Sequence, residues 1–209
     1  MGSSAAGIVG GLLATNALLG NPLSERQLTE LAVDLEGHPD NVCPALEGAF
    51  IASCRRPGEQ TKWLRVVPPE QLRGVVAIPE FQLATKVARE AMPAKVDMAD
   101  AVFNLQSAAL LLGGLLQGDL ELFAQAMEDR LHQPYRFPLI PGAEAVLDAA
   151  QEAGALCGAL SGAGPTLVAF TDTENGESIA QVMVETWRRY EIHSRAMVLK
   201  PSLSGAKIL

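Results

Sequence analysis

Four polar side chains that can bind a metal ion, a proton or a small substrate stand within six residues at positions 36–41, which read Glu-Gly-His-Pro-Asp-Asn. The carboxylates of Glu36 and Asp40 can hold Mg²⁺ or accept a proton. His38 and Asn41 can bind a small polar substrate. The same residue types also suit an ordinary turn, with the glycine as a helix C-cap and an Asx-type turn after the proline. This segment alone leaves both interpretations open.

A glycine- and serine-rich segment begins an apolar run. Residues 2–6 read Gly-Ser-Ser-Ala-Ala, and the sequence after them predicts a helix to about Leu19, capped by a serine hydroxyl. Unpaired amides and the positive end of the helix dipole can bind phosphate there, and a hydroxyl can reach a metal ion. The segment is neither a Walker A loop nor a dinucleotide fingerprint. An ordinary helix cap is the alternative interpretation.

A second glycine loop lies near the end of the chain. Residues 161–166 read Ser-Gly-Ala-Gly-Pro-Thr between two apolar runs, and this loop is longer and richer in glycine than a hairpin needs. A simple turn remains an alternative. Two glycine loops and a carboxylate-rich turn in one chain together favour a functional site.

The hydrophobic pattern predicts the elements that position these segments. Ser24 is expected to cap a second helix that runs through Leu35. Further helices are predicted over 80–91, 99–116, 120–130, 141–153 and 177–190, and strands over 48–54, 63–67, 72–78, 156–160, 166–170 and 194–199. This order predicts an α+β fold with helices on one face of a sheet and a domain boundary near residues 68–69.

The first helix carries no charge on any face, because the first charged residue of the chain is Glu25. A helix without a polar face is expected to be buried on every side. The sequence has no element before this helix that could cover it, so we expect further sequence upstream of Met1. Glycine, asparagine and proline interrupt the apolar run, which argues against a signal peptide or a membrane span.

Composition excludes several classes of protein. The 209 residues are 48% hydrophobic and carry a net charge of −8, with scattered lysines and arginines, so the basic stripe of a nucleic-acid binder is missing. The three cysteines, Cys43, Cys54 and Cys157, show no CxxC spacing, so neither a zinc site nor a disulfide framework is expected. A soluble, cytoplasmic protein without a membrane or nucleic-acid partner is the expectation.

The three segments, in their order along the chain, resemble the motifs of the GHMP small-molecule kinases. Two further segments agree, Thr-Lys-Val-Ala-Arg at 85–89 and Asp-Arg-Leu-His-Gln-Pro-Tyr-Arg at 129–136. The His-Pro-Asp-Asn form of the turn is most similar to the branch that phosphorylates L-homoserine. The resemblance covers essentially all 209 residues. Compared with the family, the chain lacks an N-terminal part that carries the first substrate motif and much of the adenine-side sheet.

The resemblance implies a fold and an activity. Residues 1–70 would be the remainder of an N-terminal, ATP-binding α+β domain like part of a ribosomal protein, and residues 71–209 a C-terminal ferredoxin-like domain. The implied reaction transfers the γ-phosphoryl group of MgATP to the side-chain hydroxyl of L-homoserine, giving O-phospho-L-homoserine on the route to threonine. An apolar helix such as that at 99–116 adds the expectation of a homodimer.

The resemblance also implies roles for individual residues. Those that would cradle the nucleotide phosphates are Gly2, Ser3, Ser4 and Ala5. Ser4 and Glu36 would hold Mg²⁺, with Glu30 as the rival carboxylate. Asp40 would be the catalytic base or would orient the reacting hydroxyl, and Arg136 would assist catalysis. The residues that would surround homoserine and the transferred phosphate are His38, Asn41, Thr85, Arg89, Arg136, Gly162 and Gly164.

Two other functions remain open from the sequence. The chain could be a GHMP kinase for another alcohol, such as mevalonate or a sugar, although the His-Pro-Asp-Asn turn argues against this. It could also be an inactive fragment or an interaction protein. His132 is interpreted as a surface or core histidine without a role in the site.

Overall fold

The computed structural model describes residues 2–81, 83–172 and 174–208, apart from the side chains of Thr85 and Lys86. The chain forms two compact units, and each has its own hydrophobic core. The N-terminal unit contains Gly2–Pro68 and residues 202–208, and the C-terminal unit contains Pro69–Pro201. The last residues of the chain therefore pack with the N-terminal unit, whereas the resemblance implies that all of residues 71–209 belong to the second domain.

Three helices and one hairpin form the N-terminal unit. The helices are α1 (Ser3–Leu18), α2 (Glu25–Glu36) and α3 (Val42–Glu47), and the antiparallel strands are β1 (Phe50–Cys54) and β2 (Lys62–Val66). The helices pack on one another around a small apolar core made of Ala5, Val9, Ala32, Val33, Val42 and Cys43. Helix α3 was not predicted from the sequence.

Helix α2 begins and ends as its sequence predicts. The Ser24 side chain accepts a hydrogen bond from the Gln27 amide, and the Gln27 side chain accepts one from the Ser24 amide, which completes a capping box. Gly37 ends the helix in the left-handed region at φ = 90°. The predicted cap at Ser24 is confirmed, and it fixes the start of the helix whose last residue is Glu36.

Two predictions about α1 are wrong. Gly2 is its N-cap and no side chain caps it, because both serines lie inside the first helical turn. The helix is also not buried on every side. In the described part of the chain α2 and α3 pack on one face, which buries Ala5, Val9 and Asn16, while small residues such as Gly7 and Gly10 are exposed. The apolar composition predicted burial, but the neighbouring helices cover only one face.

The C-terminal unit contains a four-stranded antiparallel sheet with the strand order β4–β5–β3–β6. Its strands are β3 (Arg73–Pro79), β4 (Cys157–Leu160), β5 (Leu167–Thr171) and β6 (Ser194–Leu199), and its packed helices are α8 (Ala143–Glu152) and α9 (Gly176–Arg189). Together they form the predicted ferredoxin-like order of strands and helices. Side chains such as Leu167 and Trp187 are fully buried between the sheet and the helices.

The other helices of this unit lie between β3 and α8. They are α4 (Thr85–Glu90), α5 (Met98–Gln117), α6 (Leu120–Gln125) and α7 (Gln133–Arg136), and a 3₁₀ turn at Phe137–Leu139 follows α7. Helix α4 is shorter than the predicted 80–91. Helix α6 stops five residues before the predicted end, and Asp129, which falls in the predicted range, instead accepts hydrogen bonds from the amides of residues 131–133. Helix α7 was not predicted.

Among the described residues, helix α5 is long and apolar enough to cross a membrane by length and composition alone, which is weak evidence for a membrane span. In the most apolar 18-residue stretch of this helix, only 11% is buried within the chain. The large apolar side chains exposed on it are Met98, Val102, Leu105, Leu110 and Leu116.

Candidate active site

The N-terminal unit brings the start of α1 beside the turn that follows α2. The Ser4 Oγ donates a hydrogen bond of 2.7 Å to Glu36 Oε1. A methyl group placed on Gly2 would lie 3.4 Å from Asn41 Oδ1, so Gly2 lies directly against this side chain. Residues from the two sequence segments, 32 positions or more apart, therefore share one location.

The first turn of α1 has the properties of an anion site. The first amides of a helix have no acceptor within the helix, and here no side chain caps them. The helix dipole adds a partial positive charge at the same end. Ala5 is 1% exposed and anchors this turn in the core, so the amides are held in place. A phosphate group could bind there.

The turn at residues 37–41 carries the other polar groups. His38 Nδ1 contacts Asp40 Oδ1, and the Asp40 side chain is 72% exposed. Asn41 is the N-cap residue of α3, and its carbonyl accepts a hydrogen bond from the Ala45 amide. An exposed carboxylate held by a neighbouring histidine can approach a substrate hydroxyl.

The rival carboxylate, Glu30, has a different environment. Its two oxygens accept hydrogen bonds from the Thr61 amide at 2.9 Å and the Thr61 hydroxyl at 3.1 Å. Arg26 and Arg55 lie within 3.4 and 3.8 Å of the same carboxylate. Glu30 therefore joins α2 to the β1–β2 hairpin, whereas Glu36 faces the hydroxyl of the first turn of α1.

The pair Ser4 and Glu36 fits a magnesium ion that is shared with a nucleotide. Among the described residues, no group of three or more His, Cys, Asp and Glu side chains could hold a metal ion by itself. Mg²⁺ usually binds one or two protein oxygens together with phosphate oxygens and water. A hydroxyl and a carboxylate beside a phosphate site match that donor set.

In the C-terminal unit, Arg136 is buried near a second guanidinium group, that of Arg89. Arg136 is 8% exposed, and it donates hydrogen bonds of 3.2 Å each to the carbonyls of Ala88 and Gly162. Burial and the nearby Arg89 charge lower the pKa of Arg136, with Asp129 opposing them. The positive charges of Arg89 and Arg136 repel each other, and an anion bound near both would relieve this repulsion.

His132 and Asp129 hold Arg136 from the other side. Arg136 Nη1 contacts His132 Nε2, and because a guanidinium can only donate, this nitrogen must be the acceptor. Burial and the Arg136 charge lower the pKa of His132 below 6.5, with Asp129 opposing them, so the imidazole is neutral at pH 7. The sequence interpretation of His132 as a residue outside the site missed this contact.

Asp129 fixes the start of α7. Its carboxylate accepts hydrogen bonds from the amides of residues 131–133, at 2.9, 3.1 and 2.5 Å, and from Asn104 Nδ2 at 2.7 Å. Burial raises the pKa of Asp129, but the hydrogen bonds from Gln133, Asn104 and Leu131 outweigh it, so the pKa lies below 3.8. A proline in the first turn of α7 is the signal that could have predicted this helix.

The remaining predicted residues lie in the C-terminal unit. Gly162 and Gly164 have φ of 60° and 84°, and a methyl group on Gly164 would lie 2.8 Å from Ile140 Cδ1. The positive φ of Gly164 favours glycine there, whereas a methyl group on Gly162 would meet open space, and Gly162 offers its carbonyl to Arg136. Thr85 is the first residue of α4, and its side chain is not among those that the structure describes.

Comparison with known proteins finds related domains and whole-chain relatives. Residues 1–49 match the model of the N-terminal domain of the GHMP kinases, and residues 111–189 match that of their C-terminal domain. A homoserine kinase from Moorella thermoacetica is 47% identical over 209 residues, which cover 100% of this chain and 70% of the relative. One from Prochlorococcus marinus is 44% identical, over 99% of this chain and 66% of the relative.

Solved structures show the same fold. The crystal structure of homoserine kinase from Cytophaga hutchinsonii matches with a TM-score of 0.94 at 31% identity, over 100% of this chain and 68% of that one. Mevalonate kinase from L. major, solved with R-mevalonate, matches with a TM-score of 0.63 at 18% identity, over 98% and 67%, and shows the fold alone.

The chain therefore belongs to the GHMP kinase family of small-molecule kinases. Within that family it belongs with the homoserine kinases. The chain spans 65–70% of the length of the curated relatives that it matches.

Replacing Asp129 by asparagine is expected to lower the free energy of unfolding by about 2 kcal/mol at neutral pH, because several hydrogen bonds lose a charged acceptor. The pKa of Asp129 is lower in the folded chain, so its stabilisation is present above pH 3.8 and is lost as the pH falls through the folded-state value. Urea unfolding followed by circular dichroism measures this difference.

Glu128→Gln is the matched control, because Glu128 is the adjacent carboxylate and its side chain is 59% exposed. We expect little change in stability from it at any pH. A stability difference between Asp129→Asn and the wild type that stays constant as the pH falls from about 5 to about 2 would contradict the assigned role of Asp129.

Proposed function

We propose that this protein transfers the γ-phosphoryl group of ATP to the side-chain hydroxyl of L-homoserine, giving O-phospho-L-homoserine for threonine biosynthesis in the cytoplasm. The observation that carries the proposal is the Ser4–Glu36 hydrogen bond at the uncapped start of α1. The homoserine kinases among its relatives, at 44–47% identity, support the choice of substrate.

The start of α1 binds the nucleotide phosphates. The amides of residues 2–5 and the positive end of the helix attract the phosphate oxygens, and glycine at position 2 keeps the approach free of a side chain. Ser4 and Glu36 hold Mg²⁺, which when bound neutralises phosphate charge. Because phosphoryl transfer depends on positioning and charge neutralisation, these groups supply what the nucleotide side of the reaction requires.

Asp40 acts on the hydroxyl of homoserine. Its carboxylate is exposed, and its contact with His38 restricts its orientation. In the reaction it accepts the hydroxyl proton or holds the hydroxyl in line with the phosphorus atom. Asn41, beside Gly2, donates or accepts hydrogen bonds at the same place.

Arg89 and Arg136 bind the negative charges of the substrates. Arg136 is fixed by two backbone carbonyls and His132, and Arg89 adds a second charge nearby. Guanidinium groups match the geometry of the homoserine carboxylate and of the transferred phosphate. Thr85 and the Gly162–Gly164 loop complete the set of substrate-binding residues.

A substrate panel tests this proposal. Purified protein is incubated with MgATP and L-homoserine, mevalonate or galactose, while ADP formation and phosphorylated products are measured. We expect ADP to form with homoserine together with O-phospho-L-homoserine, and little with the other alcohols. A preference for mevalonate or galactose would overturn the choice of substrate, and absence of both turnover and calorimetric MgATP binding would favour an inactive chain.

Glu36→Gln is expected to lower kcat with homoserine at least about 100-fold, because a charged oxygen is lost beside the transferring phosphate. Steady-state ADP release at saturating ATP and homoserine measures the effect. Glu30→Gln is the matched control and is expected to reduce stability through the lost Thr61 contacts while activity stays within about threefold. If Glu30→Gln abolishes turnover and Glu36→Gln does not, the metal carboxylate is Glu30.

Arg89→Gln is expected to raise the KM for homoserine at least about tenfold, because one charge-assisted hydrogen bond to the substrate carboxylate is lost. Initial rates at varied homoserine and fixed MgATP give this value. Arg188→Gln, an exposed arginine on α9, serves as the control and should leave KM unchanged. An unchanged KM in Arg89→Gln would remove Arg89 from the substrate site.

We also propose that two copies of the chain associate through the exposed apolar face of α5. Five large apolar side chains on that helix face solvent, and burial of such a face against a second copy would be favourable. Light scattering after size exclusion is expected to give the mass of a dimer, and Leu105→Glu the mass of a monomer. A monomeric wild-type protein would contradict this arrangement.

A further inference from the structure

The end of the chain returns to the N-terminal unit and binds the corner between α3 and β1. We call residues 202–206 the C-terminal strap. The Ser202 carbonyl accepts a hydrogen bond of 2.7 Å from the Ala49 amide, and the Ala206 amide donates one of 2.8 Å to the Ala45 carbonyl. These two bonds attach the strap to both sides of the C-terminus of α3.

Arg65 joins three parts of this unit. From β2, its Nη2 donates a hydrogen bond of 2.5 Å to the Leu203 carbonyl in the strap, and its Nε donates one of 3.2 Å to the Glu47 carbonyl. Carbonyls of the last helical turn receive no hydrogen bond from an amide donor within the helix, so the charged guanidinium donates to one of them. Arg65 thus connects the strap to the end of α3.

Two glycines allow the backbone of the strap to lie close to the backbone at the end of α3. A methyl group on Gly205 would lie 1.9 Å from the Leu46 carbonyl oxygen, and one on Gly48 would lie 2.5 Å from the Ser204 carbonyl carbon. Gly48 also has φ = 68°, which favours glycine. No other residue fits at either position without moving the strap away from α3.

Helix α3 carries this constraint to the proposed catalytic turn. It has only six residues, so at 1.5 Å per residue its two ends are about 9 Å apart. Asp40 and Asn41 stand immediately before its first residue, and the strap holds its last turn. The first-turn side chains Val42 and Cys43 are fully buried, so the start of this short helix is packed in the core of the unit while the strap holds its end.

We infer that the C-terminal strap positions the Asp40–Asn41 turn for phosphoryl transfer, and that Arg65, Gly48 and Gly205 are positioning residues. The inference rests on the proposed function of Asp40. It predicts that weakening the strap moves α3 and slows the chemical step without changing the groups that contact the substrates.

Thiol labelling tests the attachment of the strap without requiring kinase activity. Cys43 lies in the first turn of α3 and Cys157 in the C-terminal unit; both are buried, and burial raises the pKa of the Cys43 thiol to about 11 and that of Cys157 to about 12. In a Cys54→Ser background, which removes the exposed thiol, the two labelling rates are measured by mass spectrometry. Cys157 reports whether the whole chain unfolds.

Gly48→Ala and Gly58→Ala are the matched pair. Both glycines have positive φ, 68° and 76°, but a methyl group on Gly58 meets nothing within 4 Å. We expect Gly48→Ala to raise the labelling rate of Cys43 at least about tenfold relative to Gly58→Ala, because opening of the local structure exposes this thiol. The rate for Cys157 should stay unchanged. Equal Cys43 rates in the two variants would overturn the inference.

Arg65→Gln provides a milder variant in case Gly48→Ala unfolds the chain and exposes both thiols. Its control is Arg56→Gln, which changes an arginine of the same unit that is 74% exposed. We expect Arg65→Gln to accelerate Cys43 labelling and to lower kcat about 10- to 100-fold while the KM for ATP stays within about twofold. Faster labelling with unchanged kcat would show that the strap holds α3 but does not position the turn.

The two readouts separate the possible failures. If the wild-type protein shows no homoserine-dependent turnover, the proposed function fails and the positioning role falls with it. The Cys43 rate then still decides whether the strap holds α3. If turnover is present and Cys43 responds neither to Gly48→Ala nor to Arg65→Gln, the proposed function stands and the inference is wrong.

Discussion

The proposed reaction depends on one constraint, that the first turn of α1 stays open to an anion while it is held rigidly in the core. Gly2 provides the opening, because an N-cap without a side chain leaves the helix amides uncovered. Ala5 and Val9 provide the rigidity through burial against α2 and α3. The hydrogen bond from Ser4 to Glu36 then fixes where a cation shared with the phosphate can bind.

Charge is distributed unequally between the two units. Within residues 36–41 the charged side chains are the carboxylates of Glu36 and Asp40, which suit a cation and a proton, whereas Arg89 and Arg136 form a positively charged region in the C-terminal unit. Its groups are held by local partners: Asp129 fixes α7, and neutral His132 accepts from Arg136.

Much of the fold could be predicted from periodicity and caps. The strands of the ferredoxin-like sheet and the Ser24 cap follow from the sequence, because alternation and capping act over a few residues. Helices α3 and α7 were missed, because runs of six and four residues are too short to show a helical period, and for α7 the first-turn proline was the one local signal we identified. Partners far along the chain hold them, the strap for α3 and Asn104 through Asp129 for α7. Motifs indicated the candidate site residues, but only tertiary contacts distinguish the environments of Glu36 and Glu30.

The most direct test of this account is a crystal structure of the protein with Mg²⁺, a non-hydrolysable ATP analogue and L-homoserine. The account predicts phosphate oxygens on the amides at the start of α1, with Mg²⁺ between them, Ser4 and Glu36. It also predicts the homoserine hydroxyl within hydrogen-bond distance of Asp40. Phosphates bound away from α1, or a metal ion on Glu30 with Glu36 unengaged, would contradict the account.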